Sequence, residues 1–143
     1  MTTRRRRESG QSMVELALVL PIFLMLIFGV FDLSRVVWAN SALAHASREA
    51  ARLAIVQEAT DATTKDVIRA RALEQAIAGG EGLIVEVCYG HGCSGNTDAL
   101  GASSERGTPV TVTVRGSVSA TTGALFGFGT IDVSGTTTML VNR

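Results

Sequence analysis

Cys88 and Cys93 enclose His91 in the stretch Cys-Tyr-Gly-His-Gly-Cys, which puts two thiols and an imidazole within six positions. A disulfide closing this glycine-containing turn is the first reading if the segment lies in an oxidising compartment. So short a loop places its stabilisation toward the low end of about 2–4 kcal/mol. A metal site is the second reading, but Cys-x2-His-x-Cys is no standard zinc spacing and no fourth ligand stands nearby in sequence. Two free thiols are the third. Elsewhere the chemistry is thinner. His45 and Ser47 share an Ala-rich helical stretch, where close neighbours point apart and cannot form a nucleophile–base pair. The carboxylates stand singly. Gly79, Gly80 and Gly82 precede a strand pattern instead of opening a helix, and no lysine follows, so they do not form a phosphate loop.

The elements that must position these residues are distributed unevenly. At 143 residues and 15.0 kDa, the chain is enough for one modest domain. Two cysteines are too few for a disulfide framework or a four-cysteine zinc module. Thirteen basic and thirteen acidic residues cancel, which excludes the basic surplus typical of a nucleic-acid binder. Only 18% of residues are charged, against about 25% in ordinary soluble domains, and the mean hydropathy is +0.29. Neutrality conceals a gradient: Arg4 to Arg7 stand together near the N-terminus with Glu8, leaving the rest of the chain acidic. Such a basic block beside an apolar run is a topology signal more often than a nucleic-acid patch.

That run is Leu16 to Phe31, sixteen residues without a charge. At about 1.5 Å per residue it spans about 24 Å, short of a hydrocarbon core of about 30 Å. Asp32 and Arg35, three residues apart, can pair on one helix face and carry the span to Trp38, an interfacial aromatic. No small-residue cleavage site follows the run, so a retained anchor fits better than a secretory signal peptide. The arginines place the N-terminus in the cytoplasm and residues 39–143 outside.

Glu15 opens the span, where a carboxylate needs a partner. It fits a helix start, favoured by the macrodipole. It also fits a processed chain: a cut after Gly10, held in an extended segment just before the helix, would give Gln11 a new amine four residues from Glu15. Pro21 lies within the apolar helix, removes a backbone donor and clashes with the carbonyl of Ala17, so a kink is expected there.

The stretch RRRRESG-QSMVELALVLPIFLMLIFG resembles the class III leaders of type IV pilins and pseudopilins, with Gly10 before the cut and Glu15 fifth after it. More narrowly, GQSMVELALVLPIFLMLIFGVFDLSRVVWANSALAHASREAARLA resembles the TadE-like family of Tad/Flp pilus-assembly pseudopilins. Leu16 stands where Phe is common, and Ala50 replaces the Gly of an REGAR motif; neither change touches Gly10, Gln11 or Glu15. The resemblance implies a structural, non-enzymatic minor pseudopilin without a cofactor, inserted in the bacterial inner membrane and cut between Gly10 and Gln11. Its implied partners are a prepilin peptidase, the main Flp pilin, other minor pilins, the assembly platform and the lipid bilayer, with no nucleic acid. The alternative is an uncleaved single-pass anchor carrying a small extracytoplasmic binding domain.

Past Trp38 the helical pattern continues, with Ala39, Leu43, Ala46, Ala50, Leu53 and Ala54 on one small, apolar face. Glu49 and Arg52 are spaced to pair, with Arg48 and Arg52 exposed. That face could pack on its own domain or also meet neighbouring subunits. A second helix, capped by Asp61 or Thr63 and running to about Ala78, is expected to bury Val67, Ile68, Ala72, Leu73 and Ile77. Residues 83–89, 109–120 and 131–141 alternate with β-branched residues and read as strands. Residues 94–107 read as a Gly/Ser-rich loop. The expected fold is α+β and pilin-like: leader 1–10, transmembrane and assembly helix 11–38, and an extracytoplasmic domain 39–143 with a second helix and a small antiparallel sheet.

Overall fold

The computed structural model describes residues 5–57, 62–90, 106–120, 122–123 and 129–142. Helix α1 (Arg5–Val56) is followed by α2 (Ala62–Gln75) and strands β1 (Glu81–Tyr89), β2 (Pro109–Ser119) and β3 (Thr130–Leu140). The strands form one antiparallel sheet in the order β1-β2-β3. The fold is α+β, as its sequence implies: a helical period first, then a period of two.

α1 has two halves of opposite character. From Gly10 to Phe31 every residue is exposed apart from half-buried Ile27. From Asp32 onward burial recurs at three- and four-residue steps, through Ala39, Leu43, Ala46, Ala50 and Ala54. These small side chains bring the helix axis close to the sheet. Contact is tightest at Gly135 of β3, where an added Cβ would overlap the backbone of Leu43. Only glycine leaves that space.

The sheet presents Val110, Val112, Val114 and Val118 from β2 and Val133 from β3 toward α1, while β1, with Val85, Val87 and Tyr89 buried, packs mainly against α2. Register is continuous between β2 and β3, from Pro109 opposite Leu140 to Ser119 opposite Thr130. β1 pairs from Tyr89 opposite Val110 to Ile84 opposite Arg115, with an irregularity between Glu81 and Ile84. Period-two alternation sends the other set outward, where Thr111 bonds Thr138 at 2.9 Å and Thr113 bonds Thr136 at 3.2 Å. Leu43 and Ile68 are fully buried, and truncating either to Ala is expected to cost about 2–5 kcal/mol.

The second helix differs from its expected form. It ends at Gln75, and residues 76–78 close in a tighter turn, with Gly79 N–H donating to Ala76 O at 2.6 Å. Ile68 and Ala72 are buried as expected, but Val67, Leu73 and Ile77 are exposed. The contact with α1 and β1 is one narrow stripe through Lys65, Ile68, Ala72 and Ala76, so the wider apolar face stays exposed among the described residues. Asp61 lies outside the described residues, as do the side-chain surroundings of Thr63.

Candidate functional site

The outward half of α1 is exposed apart from half-buried Ile27, so its properties follow chiefly from its own sequence. Gly10–Val56 contains a segment long and apolar enough to cross a membrane, and none of its most apolar stretch is buried. Glu15 is exposed on this surface, and no hydrogen bond or ion pair among the described residues engages it. Gln11 lies one helical turn before it and is also exposed. The helix runs through Pro21 without a break. One correction falls at the expected cut: α1 begins at Arg5, so Gly10 is helical, not extended. The residues before it contain no proline, and a single glycine costs only about 1 kcal/mol, too little to end a helix that propagates from both sides.

The two halves of α1 meet at Asp32, which is 9% exposed. Its Oδ2 accepts from the backbone N–H of Thr122 at 2.7 Å and from the Thr122 hydroxyl. Spacing along the helix points to Arg35 as a partner for Asp32; it cannot point to Thr122, ninety positions away. Thr122 follows β2, so this carboxylate ties the start of the β2–β3 connection to the helix where burial begins. Trp38 is 70% exposed, beside Ala39, which is buried in the core.

Farther along α1, Ser47 is fully buried among the alanines and shares a 2.8 Å hydrogen bond with Thr137 of β3. His45 is exposed, so the two residues face different surroundings. Tyr89 Oη donates to the carbonyl of Ala54 at 3.2 Å, fastening the end of β1 to the last turns of α1. Glu49 and Arg52 stand 3.9 Å apart on the surface, as their spacing suggests. The small-residue face is therefore used within the chain, against its own sheet. Sequence reasoning weighed Ser47 only as a nucleophile and passed over Thr122 and Gly135. Only Gly135 carried a signal, because an isolated glycine in a strand pattern marks a close backbone approach.

Cys88 is disulfide-bonded and nearly buried. Cys93 and His91 lie outside the described residues. Among the described residues no three His, Cys, Asp or Glu side chains gather as metal ligands. Gly80, with φ of 104°, packs against the Ser117 carbonyl, so that glycine serves the sheet margin.

Residues 10–52 match the family model of the TadE-like protein. This segment is TadE-like. The match begins at Gly10, takes in the exposed apolar half of α1 and Asp32, and ends inside the buried half. The match spans 43 of the 143 residues. None of the curated proteins or solved structures compared with the chain matches it.

Proposed function

We propose that this protein is a minor pseudopilin of a Tad/Flp-type pilus, made as an inner-membrane precursor and cut by a prepilin peptidase between Gly10 and Gln11. Residues 1–10 are the cytoplasmic leader, residues 11–38 the transmembrane and assembly helix, and residues 39–143 the extracytoplasmic domain. One observation carries this reading: the TadE-like match covers a helix whose first half is apolar and uncovered while its second half is the spine of a folded domain. Such a helix can exchange lipid for other helices with little effect on the fold, because the core lies beyond the outward half.

Processing removes four arginines and leaves an apolar N-terminus with one amine near Glu15. In a low-dielectric array of helices, that amine and Glu15 of a neighbour attract strongly, and either charge alone is expensive. Pro21 leaves the carbonyl of Ala17 without its helical donor, a group that a neighbouring helix or local bending must satisfy in lipid. The partners in this reading are the peptidase, the main Flp pilin, other minor pilins and the assembly platform. No step in it requires catalysis or a cofactor.

Intact mass tests the reading. In cells that make the pilus, the mature protein should lack residues 1–10, and Gly10→Leu should leave a precursor about 1 kDa heavier, at about 110 Da per residue lost. Because Gly10 is helical here, the peptidase must open one helical turn to reach the bond. A wild-type mass that still includes residues 1–10 would replace this reading with an uncleaved anchor carrying a small binding domain.

A further inference from the structure

Where the domain stands relative to the membrane follows from a count along α1 and one hydrogen-bonded pair. Starting at Leu16, just past Glu15, about 20 residues at about 1.5 Å each cross a hydrocarbon core of about 30 Å and reach Arg35. Asp32 precedes that point by almost one helical turn, yet it is covered by the domain: its carboxylate is held by Thr122, from the connection that follows β2. The folded domain therefore starts below the level at which the helix would clear the core. No spacer separates them.

A second piece of the domain reaches the same level. Ala78 and Gly80, from the turn between α2 and β1, line a shallow hollow with Trp38 and with Val118 near the end of β2. Trp38 lies about 4.5 Å beyond Arg35 along the axis, within a headgroup layer about 5–8 Å deep. Ile77, in the same turn, is 81% exposed, and Trp38 is 70% exposed. Beside the end of a membrane span, both side chains are free to meet lipid.

We propose that this end of the domain is seated in the headgroup layer of the bilayer, with Trp38 of α1 and Ile77 of the α2–β1 turn both in contact with lipid. The inference rests on α1 being a membrane span. Its occupant is the bilayer surface, because the Asp32–Thr122 tether and the hollow lined by Trp38 and Ala78 both lie within about 9 Å of axis at the end of the span. Seating fixes the height of the domain and limits its tilt, so the helix half left in lipid is presented at a set depth.

Depth-resolved fluorescence quenching tests this on the full-length protein in phosphatidylcholine bilayers brominated either near the headgroup or near the chain ends. Trp38 is the single tryptophan of the chain, so it reports directly. Ile77→Trp, Leu24→Trp and Val56→Trp, each combined with Trp38→Phe, move the probe to sites that are all exposed. Trp38 and the Ile77 probe should lose more fluorescence to shallow bromines than to deep ones and resist acrylamide in the aqueous phase. The Leu24 probe should respond most to deep bromines. The Val56 probe, at the far end of α1, should respond to acrylamide alone. Loss of Ile77 quenching with Leu24 still quenched overturns the seating and leaves the span intact. An unquenched Leu24 probe overturns the span itself, and the seating with it. An Ile77 probe shielded from both bromine and acrylamide assigns that surface to a protein neighbour, and a Val56 probe quenched by lipid means a domain lying flat; either result overturns the proposal.

Discussion

Thr122 donates two hydrogen bonds, one from its backbone N–H and one from its hydroxyl, to a single carboxylate oxygen of Asp32. The pair joins the exposed and buried halves of one helix to the connection between two strands. Hydrogen bonds to a charged group contribute about 1.5–3 kcal/mol, and removing one partner leaves the other unsatisfied. Asp32→Ala should therefore lower the stability of the detergent-solubilised protein by about 2–3 kcal/mol. Asp32→Asn, which keeps an acceptor, should cost less. Urea unfolding followed by circular dichroism separates the two. Equal stability for all three chains would mean that the bonds only replace equivalent ones to water.

Gly135 makes a second prediction, because the backbone of Leu43 fills the space its side chain would need. Gly135→Ala should push α1 off the sheet and destabilise by about 1–3 kcal/mol, the range for forced overpacking. Gly129→Ala, whose added Cβ meets nothing within 4 Å, is the control and should leave the unfolding midpoint unchanged. A destabilised Gly129→Ala with a normal Gly135→Ala would reverse the packing argument.

Lys65 is 4% exposed, and its Nζ has no hydrogen-bond partner among the described residues. It occupies the stripe of α2 that meets the core, one helical turn before Ile68. A buried ammonium without compensation costs more than a buried methylene chain. Lys65→Met keeps the length and removes the charge, so stability should rise by about 1–3 kcal/mol. A fall in the unfolding midpoint would instead place an anionic partner for Lys65 in the segments beyond the described residues.

The fold was readable from the sequence to the extent that local pattern dictates it. Ala39, Leu43, Ala46, Ala50 and Ala54 repeat with a helical period and are all buried; Val110, Val112 and Val114 alternate and all face the helix. Val67, Leu73 and Ile77 carry the same apolar signal yet remain exposed, because burial depends on what lies opposite, and α2 touches the core along one stripe. The Asp32–Thr122 and Ser47–Thr137 bonds each join positions ninety residues apart, and no local spacing encodes them. Gly10 misled for a different reason. A glycine weakens a helix without setting its boundary, and the described helix starts five residues earlier.

Glu15 is the one acid on the exposed part of α1 after the proposed cut. In the isolated chain it meets no partner among the described residues, and its position one turn after Gln11 leaves two uses for it. As a helix-start residue it would interact with the macrodipole and with its own new amine, contributing about 0.3–1 kcal/mol and no specificity. As an assembly contact it would receive the amine of a neighbouring subunit inside a helical array, where the pair is strong and an unpaired charge is expelled. Glu15→Val distinguishes these uses, because it removes the charge while keeping the helix apolar and the arginines in place. Membrane retention and the loss of residues 1–10 should be as in the wild type, since insertion depends on the apolar run and cleavage on Gly10. Co-purification of other pilins should fall, and pili should be fewer or absent. Glu15→Gln, which keeps the shape without the charge, should fail in the same way if charge pairing is the cause. Normal co-purification by both variants would leave Glu15 only a helix-start role, and recognition between subunits would then have to come from the shape of the apolar surface.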